Sequence, residues 1–377
     1  MRPLYYYQTS VVCIIPLLFC NIFPLAAADS NSNSNSNSNK SQSKRGLAYQ
    51  NGAHKADNRL LLSPESPVAW YYTWSLWPAP EAANDTAAVE FLPLVHSTDD
   101  VANDDFGKQL DGLPASSTHL LTFNEPDGDT GSGGSAIEPE DAAKSYIDRI
   151  APLRSSGNDG RTWNISHPSV TGSPRGLDWL RRFNESCWDL DREKGCPADF
   201  VAVHWYGEFE GLKGWLDTLH DFYGHTPSSS SEREKSPKFW ITEMALPQQD
   251  DEATLRMMNQ TLPYLDGLDY VGGYAWFGAF RKGEKANGWT GDAVSLFDDE
   301  GGLTELGSLY LSSGHGGNGN GDGNGNGNGQ DGSGGFEPGK KGPPGDDDDE
   351  GGAASMYSAS RWFAVVVGLV AAGLVAW

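Results

Sequence analysis

Phe200-Val201-Ala202-Val203-His204-Trp205-Tyr206 and Lys238-Phe239-Trp240-Ile241-Thr242-Glu243 are the two stretches on which the fold turns. Each is short, rich in β-branched and aromatic residues, and apolar at even and odd positions alike. That is the pattern of a strand covered on both faces, as in a parallel sheet. Working outward, runs of the same kind recur at Gly46 to Gln50, Val68 to Ser75, Glu90 to Ser97, His119 to Asn124, Ile165 to Val170 and Tyr270 to Phe277, which makes the two opening stretches the sixth and seventh of eight. Amphipathic segments, Pro139 to Arg154, Gly176 to Asp189, Leu212 to Tyr223 and Glu252 to Leu265, separate the later runs. The first of these opens with Pro139 at the initial helical position and with Glu138, Glu140 and Asp141 opposing the positive end of the helix dipole. Alternating strands and helices in this number predict an α/β fold, a single (β/α)8 TIM barrel. Trp77 to Ala88 and Val101 to Leu113 are poor helix patterns, so the helices after the second and third strands are expected to be short or irregular.

The barrel occupies only the middle of the 377 residues. Arg2 precedes an apolar stretch, Val11 to Leu25, that ends in Ala26-Ala27-Ala28, so residues 1–28 are expected to be a secretory signal peptide. Ser30 to Asn39 is an Asn/Ser tract and Gly314 to Gly335 a Gly/Asn-rich one; neither has apolar side chains to offset its ordering entropy, so residues 29–43 and the Gly/Asn/Asp-rich residues 314–350 are expected to be disordered. The second is expected to act as a stalk. Small residues from Gly351 to Ser355, a polar spacer and the uncharged tail Trp362 to Trp377 give residues 351–377 the order of a GPI-attachment signal. The competing reading, a transmembrane helix, calls for about 20 apolar residues followed by charge. Residues 44–313 remain as one domain, of the size such a barrel needs. Of the four cysteines, Cys13 and Cys20 fall in the signal, which leaves Cys187 and Cys196 for one local disulfide. Asn39, Asn84, Asn164, Asn184 and Asn259 begin Asn-x-Ser/Thr sequons, glycosylation sites in a secreted chain. The expected location is extracellular, at the cell surface or cell wall through the anchor.

A formal charge of −24, part of it in the run Asp346 to Glu350, argues against nucleic acid and anionic membrane surfaces as partners. A neutral polysaccharide is compatible with it. All of the 13 tryptophans except Trp362 and Trp377 lie in the middle of the chain, and aromatic faces suit the apolar faces of pyranose rings. The chain has no Gly-x-Ser-x-Gly elbow, His-Glu-x-x-His pair or phosphate loop, and neither metal nor cofactor is implied.

Active sites of such barrels gather at the carboxyl ends of the strands. Strand four runs out through Phe123-Asn124-Glu125-Pro126-Asp127, and strand seven ends on Glu243. One carboxylate on each places a pair across the barrel mouth, and cleavage of a glycosidic bond with retention needs such a pair at about 5 Å. Asn124 is placed to bond a sugar 2-hydroxyl. His204 and Tyr206 share a face of strand six, with Tyr206 donating to the nucleophile and His204 orienting Tyr206 or a substrate hydroxyl. Tyr274 and Trp276 share a face of strand eight, Trp276 flooring the subsite of the reacting sugar. Trp70, Tyr72 and Trp74 on strand two, with Trp205 and Trp289, are further candidates for the cleft.

Phe-Asn-Glu-Pro-Asp at 123–127, His-Trp-Tyr at 204–206 and Trp-Ile-Thr-Glu at 240–243, in that order, resemble the glycosyl hydrolase catalytic core of family 128, together with the opening Lys44-Arg45-Gly46-Leu47-Ala48-Tyr49. The resemblance covers the whole 44–313 block. It implies an endo-β-1,3-glucanase of the kind related to the alkali-sensitive linkage protein, with Glu125 as acid/base and Glu243 as nucleophile. Asn124, His204, Tyr206 and Trp276 match further positions of the clan pattern. Met244-Ala245 departs from the Phe of related sequences, which bears on pocket shape more than on mechanism. The expected partner is β-1,3-glucan, taken by a monomer. A cell-wall transglycosylase and a non-catalytic glucan-binding surface protein are the alternatives, separated by product length and by turnover.

Overall fold

The computed structural model describes residues 43–80, 89–155, 161–224, 237–284 and 288–312. The signal peptide, both low-complexity tracts, the anchor signal, Cys13, Cys20 and the sequons at Asn39 and Asn84 lie outside them. No helix among the described residues is long and apolar enough to cross a membrane.

The strands are β1 (Gly46–Ala48), β2 (Trp70–Tyr72), β3 (Glu90–Phe91), β4 (Leu94–Val95), β5 (His119–Thr122), β6 (Asn164–His167), β7 (Phe200–Tyr206), β8 (Lys238–Ala245) and β9 (Val271–Trp276). They pair in parallel, β1-β2-β3 and β4-β5-β6-β7-β8-β9. β3 and β4 are two halves of the third expected strand, interrupted at Pro93, which has no N–H to give the ladder. Its carbonyl still accepts from Leu121 N at 2.9 Å, so one segment serves both sheets. At the other edge Tyr274 N donates to Lys44 O at 2.8 Å, and Arg45 bridges Tyr274 in parallel, bringing β9 back to β1. The result is an α/β, TIM-barrel-like arrangement.

Alternation along the strands splits the apolar residues into two sets. On β7, Val201 and Val203 face the helices, while Phe200 and Ala202 join Ala48, Trp70, Tyr72, Leu92, Leu94, Leu121 and Ala275 in the set that the sheet encloses. Trp70 and Trp240 fill that interior with ring centroids 5.0 Å apart. Gly273 is needed there, because a Cβ would lie 2.8 Å from both indoles.

Helices α1 (Thr98–Ala102) and α2 (Phe106–Asp111), after the third expected strand, are short, as the Val101 to Leu113 pattern implied; most of the Trp77 to Ala88 segment lies outside the described residues. The expected 139–154 helix is α only over α3 (Pro139–Ser145); a π turn (Tyr146–Ile150) and a 3-10 turn (Ala151–Arg154) follow, where Pro152 cannot continue the ladder. α4 (Pro174–Leu190), α5 (Phe209–Gly224) and α6 (Asp251–Gly267) are slightly longer than expected. Ser173 caps α4 through Gly176 N, and Asp250 caps α6 through Ala253 N. Two residues just before β1 tie down the last two helices. Lys44 Nζ donates to the carbonyls of Leu265, Asp266 and Leu268 at the end of α6, and Arg45 Nη1 to Tyr310 O and Ser312 O at the end of α7 (Glu305–Leu311). Cys187 and Cys196 form the expected disulfide.

Candidate active site

β8 does not end on Glu243. It continues to Ala245, because Met244 and Ala245 pair with Trp205 and Tyr206 of β7, so Glu243 sits inside the strand on its enclosed face. Three donors converge on its carboxylate. Trp74 Nε1 and Tyr72 Oη reach Oε1 at 2.7 and 3.2 Å, and Tyr206 Oη reaches Oε2 at 2.5 Å. Burial, followed by the charge of Glu243, pushes both tyrosines well above the ordinary phenol range, so they remain donors. Tyr206 thus donates to the strand-seven carboxylate. Trp74 joins the site directly, and Tyr72 is a partner of Glu243 rather than a wall of the cleft.

Glu125 is held by its backbone. Phe123 and Glu125 have φ of +37° and +38°, and Trp74 has +54°, each costing about 1–3 kcal/mol in a residue other than glycine. The strain is supported by surrounding bonds: Glu125 N donates to Ser169 O at 2.8 Å, and Glu125 O accepts from Gly128 N and Ser135 N. Asp127, which the sequence motif contains but to which no role was assigned, anchors the loop. It accepts from Thr171 N and Oγ1 and from Arg175 Nε.

His204 joins the two carboxylates. Its Nδ1 lies 2.9 Å from Glu125 Oε1 and its Nε2 3.5 Å from Glu243 Oε1, with the ring 1 % exposed. The expectation that it orients Tyr206 is corrected: it bonds Glu125. Burial lowers the imidazole pKa, but the charge of Glu243 and the bond and charge of Glu125 outweigh it, so the net shift is upward and favours imidazolium. One ligand atom each from Glu125, His204 and Glu243 fall within 4.8 Å of one another, a set that a metal ion could use. The same span brings the carboxylate oxygens close to the separation expected for retention. Asn124 spends Nδ2 on Gly133 O at 3.0 Å, and its Oδ1 is buried without a hydrogen-bond partner among the described residues.

Strand eight requires a second correction. Tyr274 and Trp276 do share a face, but it is the outer one. Tyr274 donates to Asp266 and accepts from Arg45, and Trp276, 0 % exposed, donates to Val294 O. Gly272 and Gly273 both pass over Trp240, and the register with β8 shifts at Phe239/Trp240 and Ile241/Met244, so the alternation that starts at Tyr274 starts on the outer face. Ala275 and then Phe277 face inward. Phe277 packs against Trp74 at 5.9 Å, Tyr206 at 5.8 Å and Trp289 at 6.0 Å, and is the aromatic residue that strand eight supplies. Met244 is buried in the sheet–helix layer, so the departure there does not shape the pocket. Trp205 packs on its neighbours, so closely that a Cβ at Gly211 would lie 2.3 Å from the ring. Trp70 lies in the barrel interior.

With this geometry established, the chain was compared with known proteins. Alkali-sensitive linkage protein 1 of Schizosaccharomyces pombe is 27 % identical over 280 residues, 71 % of this chain; the match spans 44 % of that protein's length. A family 128 subgroup III curdlan-specific exo-β-1,3-glucanase from Blastomyces gilchristii, crystallised with glucose, shares 27 % identity and a TM-score of 0.53, covering 72 % of this chain and 98 % of its own. A subgroup II endo-β-1,3-glucanase from Pseudomonas viridiflava shares 27 % identity and a TM-score of 0.55, covering 71 % and 97 %. Residues 46–310 match the model of the glycosyl hydrolase catalytic core, and the chain belongs to that family as a glycoside hydrolase of family 128.

Proposed function

We propose that this chain is a retaining endo-β-1,3-glucanase acting on cell-wall glucan, with Glu125 as acid/base and Glu243 as nucleophile. The observation that carries the reading is two carboxylates with oxygens within 4.8 Å, one held by three donors and the other linked to it by His204. The β-1,3-glucanase activities of the family 128 relatives support the substrate.

In the first step a Glu243 oxygen bonds to the anomeric carbon as the glycosidic bond breaks, and Glu125 gives its proton to the leaving oxygen. The developing positive charge lies over a carboxylate already oriented by Tyr206, Trp74 and Tyr72, so little reorganisation is needed. In the second step Glu125 takes a proton from water, the water oxygen attacks the same carbon, and the ester to Glu243 is released with overall retention. Asn124, next to Glu125, is the residue assigned to bond a sugar hydroxyl.

The test is a product profile on soluble β-1,3-glucan, with Glu125→Gln and Glu243→Gln as controls. A ladder of oligomers with retained configuration, abolished in both variants, is the expected result. Glucose alone would give the exo mode of the Blastomyces relative, and products longer than the starting chain would give transglycosylation. Near-full activity in either variant overturns the assignment of roles. Binding without turnover would leave a glucan-binding surface protein.

The location proposed is the cell surface: residues 1–28 removed on secretion, 29–43 and 314–350 as spacers around a monomeric domain at 44–313, and 351–377 replaced by a GPI anchor. Release by phosphatidylinositol-specific phospholipase tests the anchor. Asn164 and Asn259 are exposed and Asn184 half-buried, so the first two are the more accessible to glycan addition.

A further inference from the structure

One exposed aromatic ring at the site has no part in the chemistry above. Trp289 is 49 % exposed, yet it stands at 4.7 Å, edge to face, from Tyr206, whose hydroxyl holds the nucleophile, and its other neighbour is Phe277. An apolar indole costs solvent ordering when left exposed, and a pyranose offers the apolar face that would cover it.

The backbone carrying Trp289 is fastened from the strand that carries Glu243. Gln248, on the loop after β8, has a left-handed φ of +58°, strained for a residue other than glycine. In that conformation its N–H donates to Thr290 O at 2.9 Å, and its Nε2 to Gly288 O at 2.9 Å and Trp289 O at 2.6 Å. Three bonds from one residue thus cover three successive carbonyls. The loop after β9 is set against the loop after β8, and the position of the indole is referred to the strand of the nucleophile. Gln248 is itself exposed and buries no apolar surface, so a role in core stability does not account for its conformation.

We propose that Trp289 is a stacking platform for a glucosyl unit bound beside the reacting sugar, and that Gln248 is the positioning residue that fixes it there. This rests on the β-1,3-glucanase reading. Tyr206, Phe277 and Trp289 then form one continuous aromatic surface leading from Glu243 to solvent.

The experiment is steady-state cleavage of laminarihexaose by wild type, Trp289→Ala, Trp289→Phe, Gln248→Glu and the Trp289→Ala/Gln248→Glu double variant. Trp289→Ala is expected to raise KM about tenfold with kcat within about threefold, since the platform binds ground and transition states alike. Trp289→Phe keeps a ring and should recover most of the affinity. Gln248→Glu, isosteric but turning an acceptor toward two carbonyls, should raise KM in the same direction by less. In the double variant it should add nothing further, because both changes act through one indole. An unchanged KM in Trp289→Ala overturns the platform; an equal rise from Gln248→Glu with and without Trp289 overturns the positioning role. If wild type cleaves no β-1,3-glucan, the glucanase reading falls, and this one with it.

Discussion

Tyr206→Phe tests the setting of Glu243, the proposed nucleophile, with the loss of a single oxygen. The ring stays in place against Phe277 and Trp289, and what disappears is the 2.5 Å bond to Glu243 Oε2, in the short, charge-assisted class. Such a bond to a charged group is worth about 1.5–3 kcal/mol. Oε1 keeps Trp74 and Tyr72, but Oε2 is left without a hydrogen-bond donor among the described residues. A carboxylate pinned at one oxygen can turn about its terminal torsion, whose preference is broad, and it then spends less time aimed at the anomeric carbon. At 1.36 kcal/mol per tenfold, kcat should fall roughly 10- to 150-fold. KM should move by less than about threefold, because no surface that touches sugar is lost. Trp74→Phe is the internal comparison: its 2.7 Å bond goes, but Tyr72 still serves the same oxygen, so the fall should sit at the lower end. Initial rates of reducing-end release give both parameters, and thermal melts confirm that each variant is folded. A Tyr206→Phe enzyme with kcat within twofold of wild type, or with its loss confined to KM, would refute the reasoning.

Stability should depend on pH through two buried histidines with opposite signs. Burial, first among the causes, depresses His167 to about 4 while it bonds Cys196 O and Tyr223. The unfolded chain takes a proton below about pH 6.5 that the folded ring refuses, so about 3 kcal/mol of stability is lost as pH falls from 6.5 through 4. Urea titrations of wild type and His167→Gln should show this increment vanish in the variant. His204 is shifted upward, so its contribution is whole below about pH 6.5 and fades as pH climbs past its raised value. His204→Gln should therefore lose more stability at pH 6 than at pH 9, and equal losses would contradict the ion-pair account. Opening Cys187–Cys196, nine residues apart in sequence, by replacing both with Ala should cost about 2–3 kcal/mol, read as a lower urea midpoint with activity retained at 25 °C. Dialysis against EDTA should leave kcat unchanged, because two-carboxylate cleavage needs no metal; activity lost and then restored by a divalent cation would make Glu125, His204 and Glu243 a metal centre.

Much of the architecture was legible because burial on two faces leaves a local signature. Phe200–Tyr206 has the same bounds in sequence and structure, and the pair Glu125 and Glu243 could be placed on strands four and seven by counting runs. That Tyr206 and His204 reach the same site could be read because they lie two residues apart on one strand. Strand eight defeated the same logic. There two glycines pass over Trp240 and the register with β8 slips, so inward and outward exchange, and Phe277 takes the place expected of Trp276. Glycines invite bulges, but nothing local says how many residues a bulge absorbs.

Residue order alone was enough for the fold class, the placing of Glu125 and Glu243 at the ends of strands four and seven and the disulfide partners, since periodicity, strand ends and cysteine arithmetic are short-range properties. Assembly in three dimensions decided the rest: that His204 joins the carboxylates, that Tyr72 and Trp74 serve Glu243 from a strand about 170 residues away, and that Gln248 reaches the Trp289 loop. Hydrogen bonds between distant strands depend on the register and twist of the whole sheet, and a contact that depends on every intervening strand leaves no trace in the residues beside it.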